Sequence, residues 1–465
     1  MTKRMEWASL LNTGRHGKPG QAEDLARPNY TIDADRITFS APFRRLANKT
    51  QVHPLYDNDH LRHRLIHSAE VASVGRSLGM LVGHWLETQG EIDSGKAHMV
   101  AGIVHAACLA HDIGNPPFGH SGEESMSGWF AEKFAQGSGL FKDIPAPLQL
   151  EFTAFEGNAQ GHRIVTRLEM YRGEVGMDLS HAVIGAFSKY PMSASTSAAI
   201  QKAKEDEGVP ADEVKRHIYA GAKKFGFFEG ERVTFAKTAQ ALGLIEETGP
   251  DGQSWWRRHP LVCLVEAADD ICYNIVDLED GFTAGDLSFD EVRALLLPLI
   301  QTKPNDDDLG AHREYEKISH FRAMAIGGAI WASFEAFKAH YDAIMAGQYS
   351  GELIDDSQLG EEFRKIRNVA GKQLFVAPRK TKLEVRGRNV IRRVLDGILP
   401  VFNALQACNW EASNLPEYEQ KLTRALDLDL RGIESEYSAL HVMADYVSGM
   451  TDRYAVEVAK LVSGT

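Results

Sequence analysis

Four residues far apart in the chain, His67, His111, Asp112 and Asp269, carry the side chains that hold a divalent ion: two imidazoles and two carboxylates. Gathered around one ion they fill four positions and leave two octahedral positions for water and a substrate oxygen. That open coordination separates a catalytic metal from a structural one. Taken singly, each has a plainer explanation. A His-Asp pair such as His111-Asp112 turns up by chance in a chain of this composition, and a hydrogen-bonded helix end accounts for it. His67 alone reads as a core histidine on a basic helix. The metal reading rests on each of the four falling where burial makes a polar group costly.

The elements that must bring them together are helices. The apolar run from Met99 to Ala110 predicts a helix buried on most sides, stopped by Gly114 and Pro116-Pro117, with His111-Asp112 at its end. A second helix, from about Asp59 to His84, carries Leu61, Leu65, Ala69, Ala72 and Leu78 as its apolar stripe, and sets Arg64 on the face of His67. A third, 259 to 281, carries Leu261, Val262, Leu264, Val265, Ile271, Cys272 and Ile275 as buried apolar residues, while Glu266, Asp269, Tyr273 and Asp277 draw one polar stripe along it. Buried carboxylates at that spacing need a cation or hydrogen-bond donors, and a network with arginines satisfies them equally well.

Elsewhere, Ser40 is placed to cap a short helix bearing Arg44, Arg45 and Lys49, and a helix start at Glu156 to Gln160 puts Ile164, Leu168 and Tyr171 on a buried face. A helix over 178 to 190 ends in Lys189-Tyr190-Pro191. After a polar stretch, 193 to 213, comes Lys223-Lys224-Phe225. Two lysine-aromatic pairs bracketing an insertion could both face one anion, or could be solvent-facing helix ends. Amphipathic helices follow over 286 to 302 and 313 to 346, separated by the acidic loop 304 to 309. A basic turn with Arg386, Arg388, Arg392 and Arg393 leads into a long helix, and one last helix spans 438 to 462. Strand-like alternation is scarce and there is no internal repeat, so the fold expected is all-α.

At 465 residues with 43% hydrophobic and 25% charged, the chain can bury a large core. Its formal charge of −13 excludes a surface devoted to coating nucleic acid but leaves room for a focused cationic cluster. The four cysteines form no CxxC pair, which argues against a disulfide framework or cysteine zinc site. No long uncharged apolar run and no signal-peptide centre appear, so a cytoplasmic location without a membrane anchor is expected.

The strings FRRLANKTQV (43–52), RLIHSAEVA (64–72), HDIGNPPFGHSGE (111–123), FEGNAQ (155–160), KYP (189–191), EAADDICYNIVDLEDG (266–281) and YVSGMTDRYA (446–455) resemble the HD-domain superfamily and, far more closely, its deoxynucleoside triphosphate triphosphohydrolase family of the dGTPase type. That resemblance implies an HD-domain helical core with additional helices and a C-terminal helical region. Its divisions would be an extended arm over 1–35, a catalytic core over 36–285 with an insertion around 193–222, and a region over 286–465 that packs on the core and contributes to oligomer contacts. The implied reaction is hydrolysis of a dNTP, dGTP foremost, at the α-phosphorus to a deoxynucleoside and inorganic triphosphate, with Mg²⁺, Mn²⁺ or another transition metal. The implied metal ligands are His67, His111, Asp112 and Asp269. His120 would move the proton, oriented by Glu123. Gln51, Arg64, Asn115, Lys189, Tyr190, Lys224, Tyr273 and Asp277 would bind substrate, with Arg64, Lys189 and Lys224 on phosphate charge and Tyr273 and Asp277 at the sugar. The partners implied are the dNTP, further copies of the chain in a homohexamer, and single-stranded DNA. Two other readings stay open: another HD-type nucleotide phosphohydrolase, in which Asn115 stands where a second metal would want a ligand, and a dNTP-sensing nucleic-acid-binding protein.

Overall fold

Close helix packing starts from small residues. In the computed structural model, which describes the chain apart from residues 1, 2, 19, 21–23, 25, 51–61, 172–174, 303–311, 375–377 and 465, helix α1 (Arg64–Gln89) lies antiparallel to α2 (Ala97–Ala110). Gly75 faces Val104 and Cys108, Gly79 faces the Ala101 backbone and Gly83 faces that of Ala97, so the two backbones nearly touch. A Cβ at Gly79 would come 2.7 Å from the Ala101 Cα. Leu78, Val82 and Leu86 are fully buried on the same helix, each contributing about 1.5–3 kcal/mol. The sequence placed α1 some residues too early. The His63 side chain caps it by accepting from the Ile66 N–H, and Gly90, in the left-handed region at φ 71°, closes it.

The protein is 67% helical, and the only strands among the described residues form one hairpin, β1 (Glu246–Thr248) against β2 (Ser254–Trp256). The hairpin is too short for alternation to reveal. Two large apolar clusters organise the helices. The first joins α1 and α2 to α5 (His181–Phe187), α6 (Val262–Thr283) and α7 (Glu314–Ala339). The second joins α3 (His120–Gln136) to α8 (Pro378–Ala407), α9 (Glu436–Ser448) and α10 (Asp452–Ser463), with Trp129 and Phe130 at its centre. Between them lies α4 (Gly157–Arg163). Its Arg163 bonds Asp445 of α9 at 2.9 Å and Glu231 at 2.7 Å.

Two local expectations are corrected. The last helix is two, α9 and α10, because Thr451 caps a new start, and Asp452 in its first turn accepts from the Thr50 and Phe118 N–H groups. Tyr171 is 54% exposed rather than buried, because α4 passes into a π-helical turn, Ile164–Leu168, that breaks the 3.6-residue spacing. Within the polar stretch 193 to 213, Ser193 caps a helix, Ala194–Asp206. Ser40 caps its helix as read, its side chain accepting from the Phe43 N–H. Gln51 and the acidic loop 304 to 309 lie outside the described residues. Among the described residues, no helix is long and apolar enough to cross a membrane.

Candidate active site

At the C-terminal end of α2, the His111 Nδ1 faces the Cys108 carbonyl at 2.7 Å. Donation there fixes the ring and leaves Nε2 as a lone pair. That Nε2 is buried and has no hydrogen-bond partner. His67 from α1 and Asp269 from α6 complete a cluster in which one ligand atom from each residue lies within 4.8 Å of the others. His67 Nε2 is 2.9 Å from Asp269 Oδ1, and His111 Nε2 is 3.6 Å from the same oxygen. Two imidazoles, one carboxylate and a buried nitrogen lacking any other partner suit a divalent cation. Burial works against the charged form of Asp269, but His111 and His67 hold its carboxyl well below the usual range. Burial likewise works against protonated His67, and the hydrogen bond to Asp269 outweighs it, raising that imidazole.

Asp112 stands beside this cluster, with Oδ1 3.7 Å from His111 Nε2, and both its oxygens are engaged. Arg64 donates to Oδ2 at 2.6 Å and the Asn115 amide donates to Oδ1. Arg64 and Asn115, expected at phosphate, therefore also orient a carboxylate expected at the metal. The loop after His111 is bound at several points. The Phe118 N–H donates to Asp452 Oδ1 at 3.0 Å, and Lys49 donates from Nζ to the carbonyls of Asn115 and Ser448. Phe118 and Gly119 both sit at positive φ, 64° and 59°, which turns the chain sharply into α3.

His120 opens α3, its side chain 85% exposed, with Nδ1 2.9 Å from Glu123 Oε2. Glu123 is buried, and its other oxygen accepts the Gly157 N–H at 2.9 Å, so α4 locks the carboxylate that holds the imidazole. The hydrogen bond to Glu123 raises the His120 pKa.

These groups line a cavity of about 500 Å³, together with Arg64, Lys189, Tyr190, Lys224, Tyr273 and, from α8, Glu384. Lys189 pairs with Glu266 at 3.3 Å and Lys224 with Glu156 at 2.7 Å. Lys223 is not among the lining residues, which separates two lysines the sequence could not. The polar stripe of α6 divides: Glu266, Asp269 and Tyr273 line the cavity, whereas Asp277 is buried one turn beyond it. Burial pushes the Tyr273 phenol up, so the hydroxyl stays protonated.

The sequence reading gave no role to Glu156, Lys49, Asp452, Arg258 or Glu384. Glu156, the second residue of the FEGNAQ string, pairs with Lys224, which its place in that string could have suggested. Asp452 and Lys49 act through backbone groups of a distant loop, and no spacing announces such bonds.

Residues 64–188 match the HD domain, and residues 356–460 match the phosphohydrolase-associated domain. With the helical fold and the histidine-aspartate cluster, these matches define a hydrolase of the HD class. The chain is 36% identical over 474 residues to the deoxyguanosinetriphosphate triphosphohydrolase-like protein of Pseudomonas aeruginosa (strain LESB58), covering 99% of both chains. It is 35% identical to the protein of the same description from Synechocystis sp. (strain ATCC 27184 / PCC 6803 / Kazusa), again across 99% of each, and 28% identical to the deoxyguanosinetriphosphate triphosphohydrolase of Serratia proteamaculans (strain 568) across 95% of each. The chain belongs to the deoxyguanosinetriphosphate triphosphohydrolase-like family.

Proposed function

We propose that this hydrolase cleaves a deoxynucleoside triphosphate, dGTP foremost, at the α-phosphorus, releasing a deoxynucleoside and intact inorganic triphosphate. The observation that carries the reading is the His67, His111 and Asp269 cluster opening into the same cavity as two lysines and the His120-Glu123 pair. Those three residues, with Asp112 beside them, would hold a divalent ion, Mg²⁺ or Mn²⁺, which would supply positive charge to the phosphoryl oxygens and acidify water.

The remaining work falls to the chain. Lys189, Lys224 and Arg64 neutralise the triphosphate tail, whose charge grows as the α-phosphorus is attacked. Asn115 lies along the α-phosphate side, next to Asp112. His120, with Nδ1 tied to Glu123, takes the proton of the attacking water at Nε2 and passes it to the departing 5′ oxygen. Breaking the bond between the α-phosphorus and that oxygen yields the deoxynucleoside, and the water oxygen stays on the triphosphate. Tyr273 packs against the sugar and leaves no room for a 2′ hydroxyl, with Asp277 behind it and Tyr190 beside the substrate; Gln51, outside the described residues, keeps only the substrate role that the resemblance implies. The region 286–465, beyond a core over 36–285 and an arm over 1–35, is assigned the contacts of a homohexamer, and its basic residues from Arg386 to Arg393 are assigned to single-stranded DNA. A cytoplasmic location accords with a dNTP substrate.

Phosphorus NMR of the products from each dNTP and from GTP tests the reading. Triphosphate is expected from a dNTP and little from GTP, while pyrophosphate or orthophosphate as first product contradicts it. Tyr273→Ala is expected to narrow the preference for deoxyribonucleotides by about tenfold, and unchanged discrimination removes the sugar gate.

A further inference from the structure

Lys189 stands among carboxylates. Glu266 is paired with it at 3.3 Å, and Asp269 and Asp270 on the same face of α6 act on it electrostatically. An ammonium neutralised by its own wall has little left to offer a phosphate. What relieves it lies behind the cavity. Arg258, just after β2 and 4% exposed, donates from Nη1 to the other Glu266 oxygen at 2.6 Å, a shorter bond than the lysine makes. Arg258 is absent from the cavity lining, and its Nε and Nη2 are buried without hydrogen-bond partners. An arginine buried at that cost, with one strong bond, has Glu266 as its purpose. Its backbone N–H donates to the Tyr219 hydroxyl at 3.1 Å, and its guanidinium lies 5.9 Å from that ring, which fixes the group's approach.

We propose that Arg258 is a positioning residue that takes up the charge of Glu266 from behind the cavity wall and so leaves Lys189 available to the phosphate tail of the substrate. This rests on the reading above that Lys189 meets that tail. Without Arg258, Glu266 would turn wholly to Lys189 and withdraw it.

The test is steady-state kinetics with dGTP, together with inhibition by inorganic triphosphate, for wild type, Arg258→Met and the double variant Arg258→Met/Glu266→Gln. Arg258→Met is expected to raise KM and the triphosphate inhibition constant about tenfold while kcat changes little. Neutralising Glu266 in the double variant is expected to restore most of both. If Arg258→Met is poorly folded, Arg258→Lys, which keeps the charge, is compared with Arg258→Gln, which does not, and only the second should weaken triphosphate binding. A merely structural arginine would lower kcat and KM performance together and show no rescue by Glu266→Gln, which overturns the proposal. Wild type that releases and binds no triphosphate overturns the underlying reading as well, whereas wild type that does, with variants unchanged, overturns this inference alone.

Discussion

His120 and Glu123 are three residues apart at the first turn of α3, where side chains at i and i+3 meet. The hydrogen bond that His120 donates to Glu123 raises the imidazole pKa, so protonated His120 persists to higher pH than an isolated histidine. In its proposed role as base it must be unprotonated, and activity should therefore rise with pH through that raised value. Glu123→Gln removes the raising interaction, so the acidic limb of kcat/KM is expected to move to lower pH while the plateau falls. A limb that stays in place assigns the titration to another group. The same coupling adds stability below the unfolded pKa of about 6.5 and loses it as pH rises through the folded one.

Much at this scale was legible from the chain. His67, His111 and Asp269 meet because each stood out as a polar group in an apolar helix, and burial of such groups demands compensation. What the chain did not disclose was Asp112's engagement by Arg64 and Asn115, since side chains assigned separately to metal and phosphate satisfy one another. Nor did it disclose Lys49. Burial lowers its pKa to about 7, and its bonds to two backbone carbonyls fix the loop carrying Asn115, bonds that no residue type encodes.

At the scale of elements, α4 connects the two cores. Its N-terminus binds Glu123 and its far end is clamped through Arg163, whose guanidinium meets Asp445 and Glu231. Removing the arginine would leave buried Glu231 with only the more distant Arg167, and Asp445 with only the Gln160 amide, as polar side-chain partners among those described. Arg163→Met is expected to destabilise the fold by about 3–5 kcal/mol, read as a lowered urea midpoint, and a loss under about 1 kcal/mol, the scale of an exposed pair, would show that the network is solvated. Helix type and order followed from the apolar periodicity, because buried faces fix it. Boundaries did not, since they depend on a histidine cap at α1 and on the Thr451 cap that starts α10 anew after α9. The antiparallel seam of Gly75, Gly79 and Gly83 also escaped notice, because glycine spacing carries meaning only once a partner helix with small residues faces it.

For the whole molecule, the first core supplies the cluster and the second supplies the wall that carries Glu384 and the anchors of the loop between His111 and His120. The cavity thus closes only when regions distant in sequence are packed together. The apolar composition was enough to foresee a large helical body, while the share of the cavity contributed by α8 was not, as its exposed basic residues drew the eye to partners outside. Everything proposed for the reaction depends on one ion at the junction of α1, α2 and α6. The direct measurement is Mn²⁺ binding followed by electron paramagnetic resonance, on wild type and on Asp269→Ala. One tight site per chain that disappears in the variant is the predicted result, and a site of unchanged affinity in Asp269→Ala would contradict the account.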